Sequence, residues 1–178
     1  MFKYLVALLV LIAALVGGFF WLNGHIYDEK QGGVENYLDA TFVIQDQVIT
    51  LTDGEHVETS APNEEVQWKT TTKYFGNLAK GDLNGDGITD LAFILTQNGG
   101  GTGTFFYVVV ALQNNANRYI GTNGILIGDR IAPQTTEIRD GRLVVNYADR
   151  NSDEPFSVQP HSGVTQNFHV ENGVLIAD

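Results

Sequence analysis

The chain has 178 residues, no cysteine, 10 basic against 21 acidic side chains and a net charge of -11. That balance repels nucleic acid and anionic lipid headgroups, so no nucleic-acid partner is expected. Without cysteine there is neither disulfide support nor a lipoprotein anchor.

Tyr4 to Leu22 is a nearly unbroken apolar run without charge. At about 1.5 Å per residue such a helix spans roughly 28 Å, about one hydrocarbon core. Lys3 precedes the run, and Asp28 and Glu29 follow it, which leaves the remainder outside by the positive-inside rule. Bulky Phe19-Phe20-Trp21-Leu22 after Gly17-Gly18 argues against cleavage there, and Trp21 and Tyr27 suit the interfacial belt. Residues 1–26 are therefore expected to form a single-pass, uncleaved anchor helix through which the chain partners a membrane; a cleaved signal peptide is the alternative. Residues 27–35 read as a polar linker, and 36–178 as one extracytoplasmic β domain.

Val34 to Ala40 has room for a helical turn. Ala40–Ile44 and Val48–Thr52 read as strands around Gln45-Asp46-Gln47, and Glu55–Glu65 as a loop. Val66–Phe75 alternates in part, with Trp68, Thr70, Thr72 and Tyr74 on one side. Leu91–Thr96 and Phe105–Leu112 are further strands. The second is apolar or aromatic at every position, the mark of a strand covered on both faces. Asn123-Gly124, Asp140-Gly141 and Asn172-Gly173 each carry the signature of a type I′ hairpin turn. Asp149 to Ser162, with Pro155 and Pro160, reads as a long irregular loop. The expected fold class is all-β, a single small antiparallel domain built as a sandwich or meander.

Between Phe75 and Leu91 stands Gly81-Asp82-Leu83-Asn84-Gly85-Asp86-Gly87-Ile88-Thr89-Asp90. Asp82, Asn84 and Asp86 occupy alternate positions, so a tight coil turns all three side chains inward. Gly87 supplies the bend. The Ile88 carbonyl can then face an ion, and Asp90 closes the shell. Calcium takes about six to eight oxygen ligands, which suits this set better than magnesium's water-rich octahedron. An EF-hand is disfavoured, because its closing bidentate Glu would fall at Phe93.

Phe75-Gly76, the 81–92 segment and the glycine-rich Gly99–Gly103 before a Phe/Tyr/Val strand together resemble the FG-GAP/VCBS repeat, the calcium-carrying blade of integrin-type propellers. The literal Gly-Ala-Pro is missing. The resemblance covers about residues 75 to 112 and implies Ca²⁺ held by the side chains of Asp82, Asn84, Asp86 and Asp90 and the backbone of Ile88. A propeller needs several blades, which this length cannot supply; the repeat must sit in a smaller β domain. The whole chain also resembles short membrane-anchored bacterial proteins with a single such repeat.

Catalytic signatures are lacking. His25, His56, His161 and His169 fit neither a nucleophile elbow nor a zinc spacing. Gly99–Gly103 lacks the Lys-Ser/Thr ending of a phosphate loop. All five arginines fall between Arg118 and Arg150. They either pair with Asp129, Glu137, Asp140 and Asp149, or simply face solvent, or form a basic face that grips an anionic envelope polymer. The function expected is a noncatalytic calcium-binding domain for binding or adhesion at the cell envelope, with an envelope polysaccharide or protein as partner. The alternative is an extracytoplasmic hydrolase or enzyme accessory working through the Asp149–Ser162 loop.

Overall fold

Gln45 and Asp46 take left-handed φ of 50° and 63°, which turns the chain between Thr41–Ile44 (β1) and Gln47–Thr50 (β2). The computed structural model describes residues 33–61, 63 and 65–178. The expected anchor at 1–26, with its flanking Lys3, Asp28 and Glu29, lies outside the described residues. Among those described, no helix is long and apolar enough to cross a membrane. Gly33–Asp178 forms one compact unit. Val34, at the end of the expected linker, bridges Tyr119 through two backbone hydrogen bonds of 3.0 and 2.7 Å. A 3-10 turn follows at Tyr37–Asp39, capped by the Asn36 side chain.

The unit is all-β and antiparallel. The largest sheet runs in the order Glu55–Thr59 (β3), Lys69–Gly81 (β4), Asp90–Asn98 (β5), Phe105–Gln113 (β6), Tyr119–Gly121 (β7), with Ile125–Asp129 (β8) also pairing with β6. A four-stranded meander contains Ala132–Arg139 (β9), Arg142–Asp149 (β10), Ser162–Glu171 (β11) and Val174–Ala177 (β12).

Strands β5 and β6 are buried on both faces, as the unbroken apolar run of β6 implies. Ala92, Ile94, Phe106, Val108 and Val110 pack against Leu143, Val145, Tyr147, Phe168 and Leu175 of the meander. Leu91, Phe93, Leu95, Tyr107, Val109 and Ala111 point the other way, against Phe42, Ile44 and Ile49 of the β1–β2 hairpin. The period-two alternation of strand side chains sends each set to its own layer. Burying a side chain such as Phe93 or Val109 contributes about 1.5–3 kcal/mol.

Three readings need correction. Glu55–Glu65 is not all loop: β3 occupies Glu55–Thr59. Asp53-Gly54, at φ of 50° and 79°, forms the turn that launches it. As an exposed outer strand it has no buried face, hence no apolar alternation to detect. Strand β4 extends past Phe75 to Gly81, accommodating bulges around Gly76. Asn123-Gly124 is not a hairpin turn, because β7 and β8 both pair with β6 rather than with each other. The Asn123 side chain instead clasps the backbone of Leu175, donating to its carbonyl (3.0 Å) and accepting from its N–H (2.8 Å). The turns at Asp140-Gly141 and Asn172-Gly173 do take the left-handed pair of φ values.

Candidate functional site

The segment 82–89 joins β4 to β5, whose Gly81 and Asp90 are register partners. It folds on its own oxygens. The Asp82 carboxylate accepts from the N–H of Gly85 (2.7 Å) and of Gly87 (2.9 Å). Asn84 Oδ1 accepts from the Asp86 N–H (3.0 Å), and Asp86 Oδ1 from the Ile88 N–H (2.7 Å). The Asn84 amide donates to Asp86 Oδ2 (3.0 Å). Gly85 and Gly87 sit at φ of 79° and 82°, where a side chain would be strained although space is open. Asp82, Asn84 and Asp86 are thus brought together, with Ile88 tied to them by its N–H.

Asp90 behaves differently. It is fully buried. Its two oxygens accept from the N–H of Leu83 (2.9 Å) and of Gln113 (3.0 Å). It therefore fastens the start of the loop to the end of β6. Leu83 beside it drops into the core against the meander.

The electrostatics separate these acids. The Gly87 N–H, aided by the N–H groups of Gly85, Asp86 and Asn84, holds the Asp82 carboxyl below its ordinary range. Burial pushes Asp90 up; the Leu83 and Gln113 N–H groups oppose that, and the charges of Asp86 and Asp82 add to it. Among the described residues, no ion pair involves Asp82, Asp86 or Asp90. Nor is any group of three or more His, Cys, Asp or Glu side chains arranged to hold a metal ion. What the loop offers is a mixed set of two carboxylates and an amide oxygen near the surface, with a third carboxylate behind them. Hard oxygens of this kind are the donors that calcium takes in proteins.

A second polar cluster forms where the loop after β10 folds back. A cavity of about 300 Å³ is lined by Asp129, Asp149, Arg150, Asn151, Ser152, Glu154 and Phe156. Arg150, only 8% exposed, donates to the carbonyls of Val158, Arg130 and Asp129. Arg130 pairs with Asp129 at 2.6 Å and stacks on the Phe156 ring, 3.7 Å from its centroid. Arg130 first, then the Thr104 N–H, holds Asp129 below its ordinary range. His161 lies 3.6 Å from Glu154.

The remaining arginines are also committed. Arg139 pairs with Glu137, Arg142 with Asp178, and Arg118 donates to the Gly33 carbonyl. The arginine cluster is thus internal pairing rather than an open basic face. The partners Asp129, Glu137 and Asp149 are among those expected; Arg142 takes Asp178, which was not among them.

No protein family, curated protein or solved structure matches the chain.

The Gln113 N–H as an anchor for Asp90, and Phe156 as a platform for Arg130, were not signalled by the sequence. Both partners lie more than twenty residues away, beyond the reach of a local motif.

Proposed function

We propose that the chain is a noncatalytic, calcium-binding domain related to the FG-GAP blade, held on the outer side of a membrane, where it serves binding or adhesion at the cell envelope. The observation that carries the calcium reading is the 82–90 loop. Its side-chain oxygens order its own N–H groups, leave the carboxylates without a cationic partner among the described residues, and press like charges on buried Asp90. Asp82, Asn84, Asp86 and Asp90, with the Ile88 carbonyl, would hold the ion. Calcium would supply the positive charge that this loop lacks and stiffen the β4–β5 connection. The affinity expected of an extracellular module is about 10⁻⁴–10⁻³ M. Calorimetry of the purified full-length chain should give one saturable calcium site that Asp86→Ala removes; unchanged binding in that variant rejects the assignment. For the outward orientation, protease added to intact cells should remove the domain, and full protection would contradict it.

A hydrolase or enzyme accessory is the second reading, favoured by the cavity that gathers Asp129, Asp149 and Glu154 near His161. Its acids are engaged already. Asp129 is neutralised by Arg130, Asp149 caps the Arg150 N–H, and Glu154 caps the Asn151 N–H. General acid catalysis needs a carboxyl that stays protonated near working pH, and Arg130 works against that at Asp129. Turnover of peptidoglycan or envelope polysaccharide that Glu154→Gln abolishes would establish this second reading over the first.

A further inference from the structure

The Asp53-Gly54 turn begins a hairpin that the chain does not close. Thr52 and Glu55 exchange both backbone hydrogen bonds, at 2.9 and 3.1 Å. Continuation would pair Thr50 with Val57 and Val48 with Thr59. Instead β2 stays with β1 in one sheet, and β3 stays with β4 at the edge of another. The His56 ring stands in the gap, its Nδ1 2.9 Å from the Thr50 carbonyl. The diverging strands leave a groove of about 350 Å³ lined by Gln47, Val48, Ile49, His56, Val57 and Glu58.

The phase of the ladder fixes which backbone groups face this groove. The Tyr74 N–H donates to Gly54 and the Ser60 N–H to Trp68, so even-numbered residues of β3 bond toward β4. Glu55, Val57 and Thr59 therefore aim outward. Glu55 is taken by Thr52, which leaves the N–H and C=O of Val57 and Thr59 along an exposed edge. On β2 the same argument, anchored by the Leu51 N–H on Ala40 and the Val43 N–H on Thr122, sends Val48 and Thr50 outward.

The edge is short and carries two glutamates, which guard it against another acidic strand, yet it also exposes valines. Val48 is 68% and Val57 45% exposed. Glu55 is paired with Lys73 at 3.2 Å, whereas Glu58 has no ion pair among the described residues. Two copies meeting edge to edge with Val57 opposite Thr59, the register that uses both outward residues of each edge, would bring their Glu58 carboxylates together, and like charges across strands repel. A strand bearing lysine or arginine would meet Glu58, and a chain of net charge -11, favourably.

We propose that the free edge of β3 takes an extended, basic segment of a partner protein as an added strand. Its backbone bonds to Val57 and Thr59, its apolar side chains lie on Val57 and Val48, and a basic side chain reaches Glu58. Main-chain bonds supply affinity and alternate side chains specificity, as in other strand additions. The inference does not depend on calcium, so its test is run in chelator.

The probe is a short fluorescein-labelled peptide of alternating lysine and valine, titrated into the full-length chain and followed by anisotropy. The control peptide has the same charge, with alternate backbone nitrogens methylated. Val57→Pro removes the outward N–H while sparing the bonds to β4, and proline is tolerated at such edge positions. The expected result is saturable binding that falls about tenfold or more with Val57→Pro, with Glu58→Lys and with the methylated peptide. Should Val57→Pro fail to fold, the methylated peptide makes the same test on the native chain. Equal binding of both peptides would reduce the effect to charge attraction and overturn the proposal. So would absence of saturation, or a self-association of the chain that Val57→Pro abolishes.

Discussion

The loop at 82–90 and the loop between Asp149 and Ser162 are both rich in acids, yet they settle their charge in opposite ways. The first is ordered by its own backbone: Asp82, Asn84 and Asp86 accept N–H groups at most five residues away. It has no arginine or lysine partner among the described residues. The second is ordered by arginines. Arg150 gathers three carbonyls, and Arg130 neutralises Asp129 while lying on Phe156. An acidic loop that carries its own cations needs no ion from solution. One that sets its carboxylates on its own N–H groups, with no cationic side chain beside them among the described residues, keeps its negative charge.

The largest effect is expected where the first loop meets the core. Asp90→Ala orphans the N–H groups of Leu83 and Gln113 and should cost roughly 2–5 kcal/mol, read by urea unfolding in chelator. A loss that appears only when calcium is present would make Asp90 a ligand and not a structural tie.

Arg150→Ala should loosen the second loop by roughly 1–3 kcal/mol, since three carbonyls lose a charged donor. Arg150→Lys should not restore it, because a single ammonium cannot span the same fan of acceptors. The calcium response of Arg150→Ala should equal that of the native chain. A shared loss would mean that the two loops are coupled.

Calcium at about 100 times its dissociation constant should add roughly 2.7 kcal/mol if it binds only the folded state. That raises the melting temperature by several degrees. Magnesium at equal concentration should do less, and Asp86→Ala should abolish the gain. Coincident curves in chelator, magnesium and calcium would reduce the first loop to an ordinary acidic turn and erase the contrast.

Acid provides the smallest and most selective probe. Asp82, Asp129 and Asp178 are held low in the fold, so their contribution is present above the ordinary carboxylate range and lost as pH falls through their depressed values. Asp90 is held high by burial, so its contribution is present at low pH and lost as pH rises through its raised value. With Asp90 as a ligand, protons compete with calcium there. The calcium-dependent gain in melting temperature should shrink as pH drops toward that raised value, while Arg130 still holds Asp129 ionised. A gain constant across the acid range would argue against Asp90 as a ligand.

The amino-acid sequence by itself determined what is local. Alternate oxygens at 82, 84 and 86 with glycines at 85 and 87 dictate the coiled loop, because the partners lie within five residues and only glycine takes those φ values without strain. The apolar run of β6 dictates a strand covered twice. Asp140-Gly141 and Asn172-Gly173 dictate their turns. Only the tertiary structure decided that Asn123-Gly124 would clasp Leu175 instead of turning a hairpin. It also decided that Glu55–Thr59 would become an edge strand, that Gln113 would hold Asp90, and that Phe156 would carry Arg130. Those outcomes join residues more than twenty positions apart, or depend on which strand finds a neighbour, and no short-range dihedral preference encodes such pairing.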